Sequence, residues 1–210
     1  MKLINDIISI FKKDWKLFLA TNAFYFGLLV IGALIALADP QVQRSLFTLA
    51  GAGLSSGPLS SVGNAYHSGS VPYAAAVTFV TNLLLGTLVE ITIPSLIFPP
   101  WALFMGLIRS LMWGIMLVVP VEGLYPLGRA LPHYLTLLLE GEAYVVAIFA
   151  CMRQIKALLK PQDFGTDSRW KAYLRSILDN GKLLLVVALL LAVSALYEAW
   201  EVMYFAGIIK

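Results

Sequence analysis

Charged residues are unusually scarce in this sequence. Asp, Glu, Lys and Arg make up 13% of its 210 residues, whereas an ordinary soluble domain contains about 25%. Hydrophobic residues account for 60% of the chain and raise its mean hydropathy to +0.82. This composition excludes an ordinary soluble domain and indicates an integral membrane protein, whose apolar surface faces lipid.

Cysteine and histidine are nearly absent, which limits the chemistry available to the chain. Cys151 is the only cysteine, so an internal disulfide and a Cys-x-x-Cys metal site are both excluded. The two histidines, His67 and His133, do not form the His-Glu-x-x-His signature of zinc proteases. Glu140-Gly-Glu142 lacks the adjacent acids and the downstream arginine of glutamate-type membrane proteases. We therefore predict no catalytic residues, no bound metal ion and no cofactor.

The basic residues are unevenly distributed. The net charge is +3, and eleven of the fifteen Lys and Arg lie in residues 1–16 and 153–182. Because both segments adjoin apolar runs, their charges are typical of residues that orient a membrane protein, and no nucleic-acid partner is indicated. We predict a prokaryotic cytoplasmic membrane as the location, with the amino terminus and residues 153–182 in the cytoplasm and the carboxyl terminus outside.

Five apolar segments are long enough to span a bilayer, which takes about 20 residues of helix. They cover about residues 17–38, 73–98, 101–119, 131–152 and 183–205. The predicted fold is therefore all-α, a polytopic helical membrane bundle that forms one domain over residues 17–210. Residues 1–16 place apolar and basic side chains on opposite faces of a helix, which predicts an amphipathic helix lying on the lipid bilayer.

Three shorter features lie between the predicted spans. Asp39-Pro40 is a helix-start signal, with an acidic cap and proline at the first helical position. Residues 51–71 are rich in Gly and Ser, which predicts a mobile loop that leaves His67 in solvent. After Pro161, Thr166 or Asp167 is expected to cap a second amphipathic basic helix, separate from the last span.

The fourth span carries ionisable residues where hydrocarbon is expected. Four of its polar side chains share one helical stripe: His133, Thr136, Glu140 and Tyr144. Ionisable groups inside a membrane are costly, so they are functional or paired with polar groups on a neighbouring helix. The simpler alternative is a helix that starts at Pro132, with His133 in the headgroup layer and Glu140 hydrogen-bonded to a neighbour without any activity. Glu142 points nearly the opposite way.

The rise per residue along each predicted helix gives the depth of its side chains, and it places further polar residues in the outer half of the bundle. Asn82 descends from the start of the second span to the depth of Glu140, and two acids of the fifth span rise into the same layer. We predict one polar cluster of Asn82, His133, Glu140, Glu198 and Glu201, with Tyr144 or Ser194 beside it. Several carboxylates in a low dielectric cannot all stay ionised, so some are expected to be protonated or to share an ion.

A separate acid and base are matched in depth across the Pro99-Pro100 turn. Glu90 and Arg109 each lie about 13 Å from that turn along their helices, at 1.5 Å per residue. Arginine in hydrocarbon is tolerated chiefly when a carboxylate matches it or when it reaches the headgroups. We therefore predict a structural ion pair between Glu90 and Arg109.

Motifs along most of the chain, from Leu17 to Ala206, occur in the order of a known family. They are Thr78-Phe-Val-Thr-Asn82 followed by Gly86, Leu131-Pro-His133, Leu139-Glu-Gly-Glu-Ala-Tyr-Val-Val-Ala147 and Tyr197-Glu-Ala-Trp-Glu201. This ordered set resembles the stage II sporulation protein M family. The resemblance implies a polytopic helical membrane protein. The founding member of the family resembles a scaffold that gathers cell-wall-degrading partners, but many members occur in organisms that make no spores, so the resemblance implies the fold more than the function. Glu140 follows His133 by seven residues, longer than the family's His-Gly-x-x-Glu spacing, and Pro99-Pro100 replaces an Asn-Gly pair.

Two classes of function are consistent with these observations. The first is a non-catalytic membrane scaffold or complex subunit that works with a membrane-protein partner or a second copy of itself. The resemblance and the absence of a cofactor motif favour this class. The alternative is a small transporter or an ion or proton pathway, which the buried acids favour.

Overall fold

The computed structural model describes residues 2–57, 59–121 and 123–209, and these residues form helices joined by short turns. The predicted all-α fold is confirmed, because five helices are long and apolar enough to cross a membrane. They are α2 (Trp15–Ala38), α5 (Val71–Ile97), α6 (Trp101–Val118), α7 (Leu127–Leu159) and α8 (Arg169–Phe205). The chain is thus a helical membrane protein.

Three shorter helices and one 3₁₀ turn complete the described structure. They are α1 (Lys2–Lys13), α3 (Pro40–Ser56), α4 (Ser60–His67) and the 3₁₀ turn Pro161–Phe164. The start of α3 is the one that the sequence predicts, since the Asp39 carboxylate accepts a hydrogen bond of 3.0 Å from the Gln41 amide. Pro40 stands at the first helical position, where its missing N–H costs nothing.

α7 lies at the centre of the bundle. Its most apolar stretch is 78% buried, whereas the equivalent stretches of the other four long helices are 22–33% buried. α8 runs antiparallel along α7, so that Tyr197 reaches the Pro132 carbonyl near one end and Asp179 reaches Arg153 near the other. α2, α5 and α6 cover the remaining sides of α7. Most of the apolar stretch of α7 is therefore covered by the other helices.

α1 is tied to the bundle at its carboxyl-terminal half. Phe11 stacks on Phe149 of α7 with ring centroids 5.5 Å apart, and Ile10 is buried. Ile4 and Ile8 stay exposed, as expected for a helix with one face left for a lipid surface. The helix ends at Lys13, and the buried Asp14 separates it from α2.

The prediction of a mobile loop over residues 51–71 is wrong. α3 continues to Ser56, and α4 follows from Ser60 to His67. The small residues allow close helix packing: a Cβ at Gly63 would lie 2.3 Å from the carbonyl oxygen of Leu54. Glycine thus permits α3 and α4 to touch through their backbones. His67 is exposed in the last turn of α4.

Two predicted helix boundaries are also corrected. α7 begins at Leu127, so Pro132 lies inside the helix, and it runs on to Leu159. α8 is continuous from Arg169 to Phe205, so the separate basic helix and the last span are one element. The side chain that caps α8 is Ser168, which accepts a hydrogen bond of 3.4 Å from the Lys171 amide.

Candidate functional site

Asn82 and Glu140 join α5 to the central helix. The Asn82 side-chain amide donates to a Glu140 carboxylate oxygen at 2.5 Å, and the Tyr144 hydroxyl donates to the same oxygen at 3.4 Å. Glu140 is only 7% exposed. The sequence places Glu140 and Tyr144 one helical turn apart, which brings both groups to the face of α7 that α5 covers.

The part of α5 that carries Asn82 is wound as a π-helix. This segment runs from Asn82 to Thr92, and the Thr87 hydroxyl donates to the Asn82 carbonyl at 3.0 Å. π-helical turns are rare and are often found at functional sites. Asn82 begins this segment, and Glu90 lies near its end.

Glu90 and Arg109 lie in contact, as the depth count predicts. The Arg109 guanidinium donates to the Glu90 carboxylate, and its central carbon lies 4.0 Å from the centroid of the Tyr144 ring. Cations are attracted to the face of such a ring. Arg109 thereby links the ion pair to Tyr144 and Glu140, which sequence reasoning treats as a separate group.

Gly86 is the position that lets these side chains approach α5. A Cβ at Gly86 would lie 2.7 Å from the Tyr144 hydroxyl and 3.1 Å from Arg109 Nη1. Any other residue would displace one of the two groups.

His133 and Glu201 form the second half of the site, between α7 and α8. His133 Nδ1 lies 2.5 Å from a Glu201 carboxylate oxygen, and the Thr136 hydroxyl lies 3.5 Å from the same oxygen. Glu201 is 2% exposed. The Ser194 hydroxyl lies at the limit of hydrogen bonding, 3.5 Å from the Thr136 carbonyl.

Glu198 connects the two halves. Glu198 lies on α8 one turn before Glu201, and the charged groups near its carboxylate are Glu140, His133 and Glu201. The Tyr66 hydroxyl of α4 adjoins it and also accepts a hydrogen bond of 3.3 Å from Thr78. All five residues of the predicted cluster therefore lie in one region, with Tyr144 in contact and Ser194 at the edge. Glu142 lies apart from them, near Asn22 of α2.

This arrangement can hold protons between neighbouring oxygen and nitrogen atoms. Three carboxylates, those of Glu140, Glu198 and Glu201, share a region of low dielectric with the single imidazole of His133. Within residues 2–57, 59–121 and 123–209, no three His, Cys, Asp or Glu side chains are grouped so that they could hold a metal ion.

A second charged group lies at the basic end of the bundle, and sequence reasoning missed it. Asp14 accepts from Arg153 Nε at 2.7 Å and from Lys156 Nζ at 2.5 Å. Arg153 also donates to Asp179 at 3.0 Å, and Lys156 lies 2.9 Å from Asp163. Asp14 and Arg153 are 4% and 2% exposed. We call these five residues the basic-end network.

Charges in the network lower the pKa of Asp14 and of Asp163. Burial alone would raise the pKa of Asp14, but hydrogen bonds from Lys156 and Arg153 outweigh it, and the pKa lies below its ordinary value. A hydrogen bond from Lys156 likewise lowers the pKa of Asp163. In the sequence, this network is indicated by Asp14, a single acid between Lys12-Lys13 and Lys16. Its partners are 139 and 142 residues away, so local spacing does not reveal them.

Comparisons with protein family models, curated proteins and solved structures find no match to this chain.

Proposed function

We propose that the chain is a non-catalytic membrane scaffold or complex subunit of the stage II sporulation protein M type. The observation that carries this proposal is the pairing of its intramembrane polar groups. Asn82 pairs with Glu140, His133 with Glu201, and Arg109 with Glu90. Together these pairs tie α5 to α7, α7 to α8 and α5 to α6.

Paired polar groups are a common means of setting helix register in membranes. Lipid is as apolar as leucine, so the hydrophobic effect gives helices little reason to choose one register over another. A slip of α5 against α7 would leave the Asn82 amide and the Glu140 carboxylate unpaired in hydrocarbon, which is costly. A rigid, uniquely packed bundle is what a scaffold requires to present a constant surface to its partners.

The proposal includes the location and orientation of the bundle. The basic-end network and α1 face the cytoplasm of a prokaryotic cell, as the distribution of Lys and Arg supports. The partner is another membrane protein or a second copy of this chain, bound through the lipid-exposed stripes of the long helices.

Photo-crosslinking in the native membrane tests the scaffold. A photoreactive amino acid is placed at exposed positions of three helices, Leu34 of α2, Val89 of α5 and Leu189 of α8. At least one position should give a discrete product that contains a membrane protein or a second copy of the chain. The buried Leu191 serves as the matched control and should give no intermolecular product. Crosslinks to lipid alone from all three exposed positions would count against a scaffold.

An ion or proton pathway is the second candidate, and the excess of acids in the cluster favours it. His133 pairs with Glu201, while Glu140 and Glu198 are further acids of the same cluster. Acids that lie near one another in a low dielectric tend to share protons or a cation. Chains of acids and histidine are typical of proton relays in membranes.

Proton flux distinguishes the two candidates. Proteoliposomes with a pH-sensitive dye inside are energised by a potassium gradient and valinomycin. A scaffold should admit protons no faster than empty vesicles. A pathway should admit them in the parent protein and in Glu142→Gln, whose acid lies outside the cluster, but not in Glu140→Gln.

A further inference from the structure

A groove opens at the basic end of the bundle, between the α1–α2 junction and the last turn of α7. Its volume is about 550 Å³. α2 begins beside it at Trp15, and α7 ends beside it at Leu159. Because the apolar run of α2 begins close to its start at Trp15, the groove is expected at the level where hydrocarbon gives way to headgroups.

The rim of the groove is basic. Lys13, Lys16, Lys156 and Lys160 line it, and Asp14 is the single acid among the lining residues that the structure describes. Asp14 is already bound to Arg153 and Lys156. Among the described residues, neither Lys16 nor Lys160 lies within ion-pair distance of a carboxylate. The rim therefore carries positive charge that the protein itself does not neutralise.

The floor of the groove is apolar. Leu17, Met152, Ile155 and Leu159 form it, and the Trp15 indole stands at its edge. Leu159 is 73% exposed and Trp15 is 55% exposed. Exposed apolar side chains of this kind are expected where a lipid acyl chain covers them. A small soluble anion would use the rim and leave this floor uncovered.

We propose that this groove binds one anionic phospholipid. The phosphate and the anionic headgroup lie between Lys16 and Lys160, and an acyl chain lies along Leu17, Ile155 and Leu159. Basic pockets between membrane helices bind acidic headgroups in this manner. Tryptophan at the interface anchors the same layer. The bound lipid bridges the start of α2 and the end of α7, whether the protein acts as a scaffold or as a pathway.

Lipid titration followed by native mass spectrometry tests the site. The purified full chain in an uncharged detergent is titrated with dioleoyl phosphatidylglycerol and, separately, with dioleoyl phosphatidylcholine. The parent should bind the first phosphatidylglycerol at least tenfold more tightly than phosphatidylcholine. Lys16→Gln/Lys160→Gln should weaken phosphatidylglycerol binding by about tenfold or more, since each basic residue near anionic lipid contributes to affinity.

A charge-matched control separates this site from general attraction. Lys2→Gln/Lys171→Gln removes the same charge from two exposed positions outside the groove, and it should bind phosphatidylglycerol as the parent does. Equal loss in this control, or equal binding of the two lipids by the parent, would overturn the proposal.

The apolar floor gives a second test that leaves all charges in place. Leu159→Gln changes an exposed side chain, so the fold should persist, and phosphatidylglycerol binding should still weaken. Inorganic phosphate at the same concentration should neither bind detectably nor displace the lipid. If phosphate binds as tightly as phosphatidylglycerol, or if Leu159→Gln has no effect, the groove is not a lipid site.

Discussion

Arg109 is held from two sides inside the bundle. The Glu90 carboxylate contacts its guanidinium, and the face of the Tyr144 ring covers it at 4.0 Å. Arg109 is largely buried, whereas the Glu90 side chain is 44% exposed on the side where lipid would lie. The Glu90 carboxylate therefore neutralises the guanidinium of Arg109, which lies inside the bundle.

Arg109→Ala is expected to destabilise the protein by about 2 to 4 kcal/mol, because it leaves Glu90 without its partner beside hydrocarbon. The exchange variant Glu90→Arg/Arg109→Glu should recover part of that loss. Unfolding free energies in detergent provide the measurement, with the exposed Arg44→Ala as control. Parent-like stability of Arg109→Ala would show that the pair is not structural.

Gly86→Ala is a residue-scale test of how closely α5 approaches the cluster. The added Cβ would lie 2.7 Å from the Tyr144 hydroxyl, and the overpacking should cost about 1 to 3 kcal/mol. Gly27→Ala is the matched control, because nothing lies within 4 Å of its Cβ position. The control should be neutral or stabilising, since alanine favours helix. Equal effects in the two variants would contradict the close approach.

At the scale of elements, the basic-end network holds α1, α2, α7 and α8 together at one end. Asp14 stands between α1 and α2, and its carboxylate binds Arg153 and Lys156 of α7. Arg153 also forms an ion pair with Asp179 of α8. Removing the acid leaves a buried guanidinium without its closest counter-charge, which is far more costly than losing a surface pair.

Stability is expected to fall in acid because of Asp14. Its pKa is lower in the folded protein than the ordinary value of about 3.9 in an unfolded chain. The contribution of ionised Asp14 to the free energy of unfolding is therefore complete at pH values above the pKa of the unfolded chain. It is lost as the pH falls through the lower pKa of the folded protein. Unfolding free energies measured from pH 7 down to about pH 2 should show this loss in the parent.

Asp14→Asn is expected to be less stable at pH 7 and to lose that part of the acid dependence. Asp39→Asn is the matched control, because it removes the same charge at the start of α3, where asparagine also caps a helix. This variant should show the same acid dependence as the parent. The same acid dependence in Asp14→Asn as in the parent would assign the effect to other groups.

At the scale of the whole molecule, run length and proline were sufficient to predict the five long helices. An apolar run of about 20 residues has few alternatives to a spanning helix, and Pro99-Pro100 ends one helix just before the next begins at Trp101. Counting residues from that turn also predicts that Glu90 and Arg109 lie at the same depth, where the structure places them in contact. These predictions succeeded because they depend on local rules of geometry.

The parts that were missed depend on contacts between distant segments. Glycine and serine indicate a loop when read locally, yet Gly63 packs against the Leu54 backbone. Asp14 and Arg153 are 139 residues apart, so no spacing rule joins them. The length of the apolar run likewise gives no indication of the π-helical winding from Asn82 to Thr92.

The five-helix bundle predicts opposite sides for the end of α7 and the carboxyl terminus. α8 is long enough to cross the membrane between them. Reporter fusions at Lys160 and after Lys210 should therefore score on opposite sides, with Lys160 in the cytoplasm. Two cytoplasmic fusions would contradict the number of spans, and a fusion at Lys160 that scores outside would contradict the orientation.

The structural role of the polar cluster is tested most directly by a double-mutant cycle on Asn82 and Glu140. Asn82→Leu or Glu140→Met alone leaves a buried polar partner unsatisfied and should cost about 1 to 3 kcal/mol of unfolding free energy. The double variant should cost less than the sum, with a coupling of about 0.6 to 1.7 kcal/mol. Strictly additive costs would show that the pair does not hold α5 to α7, and would contradict the account.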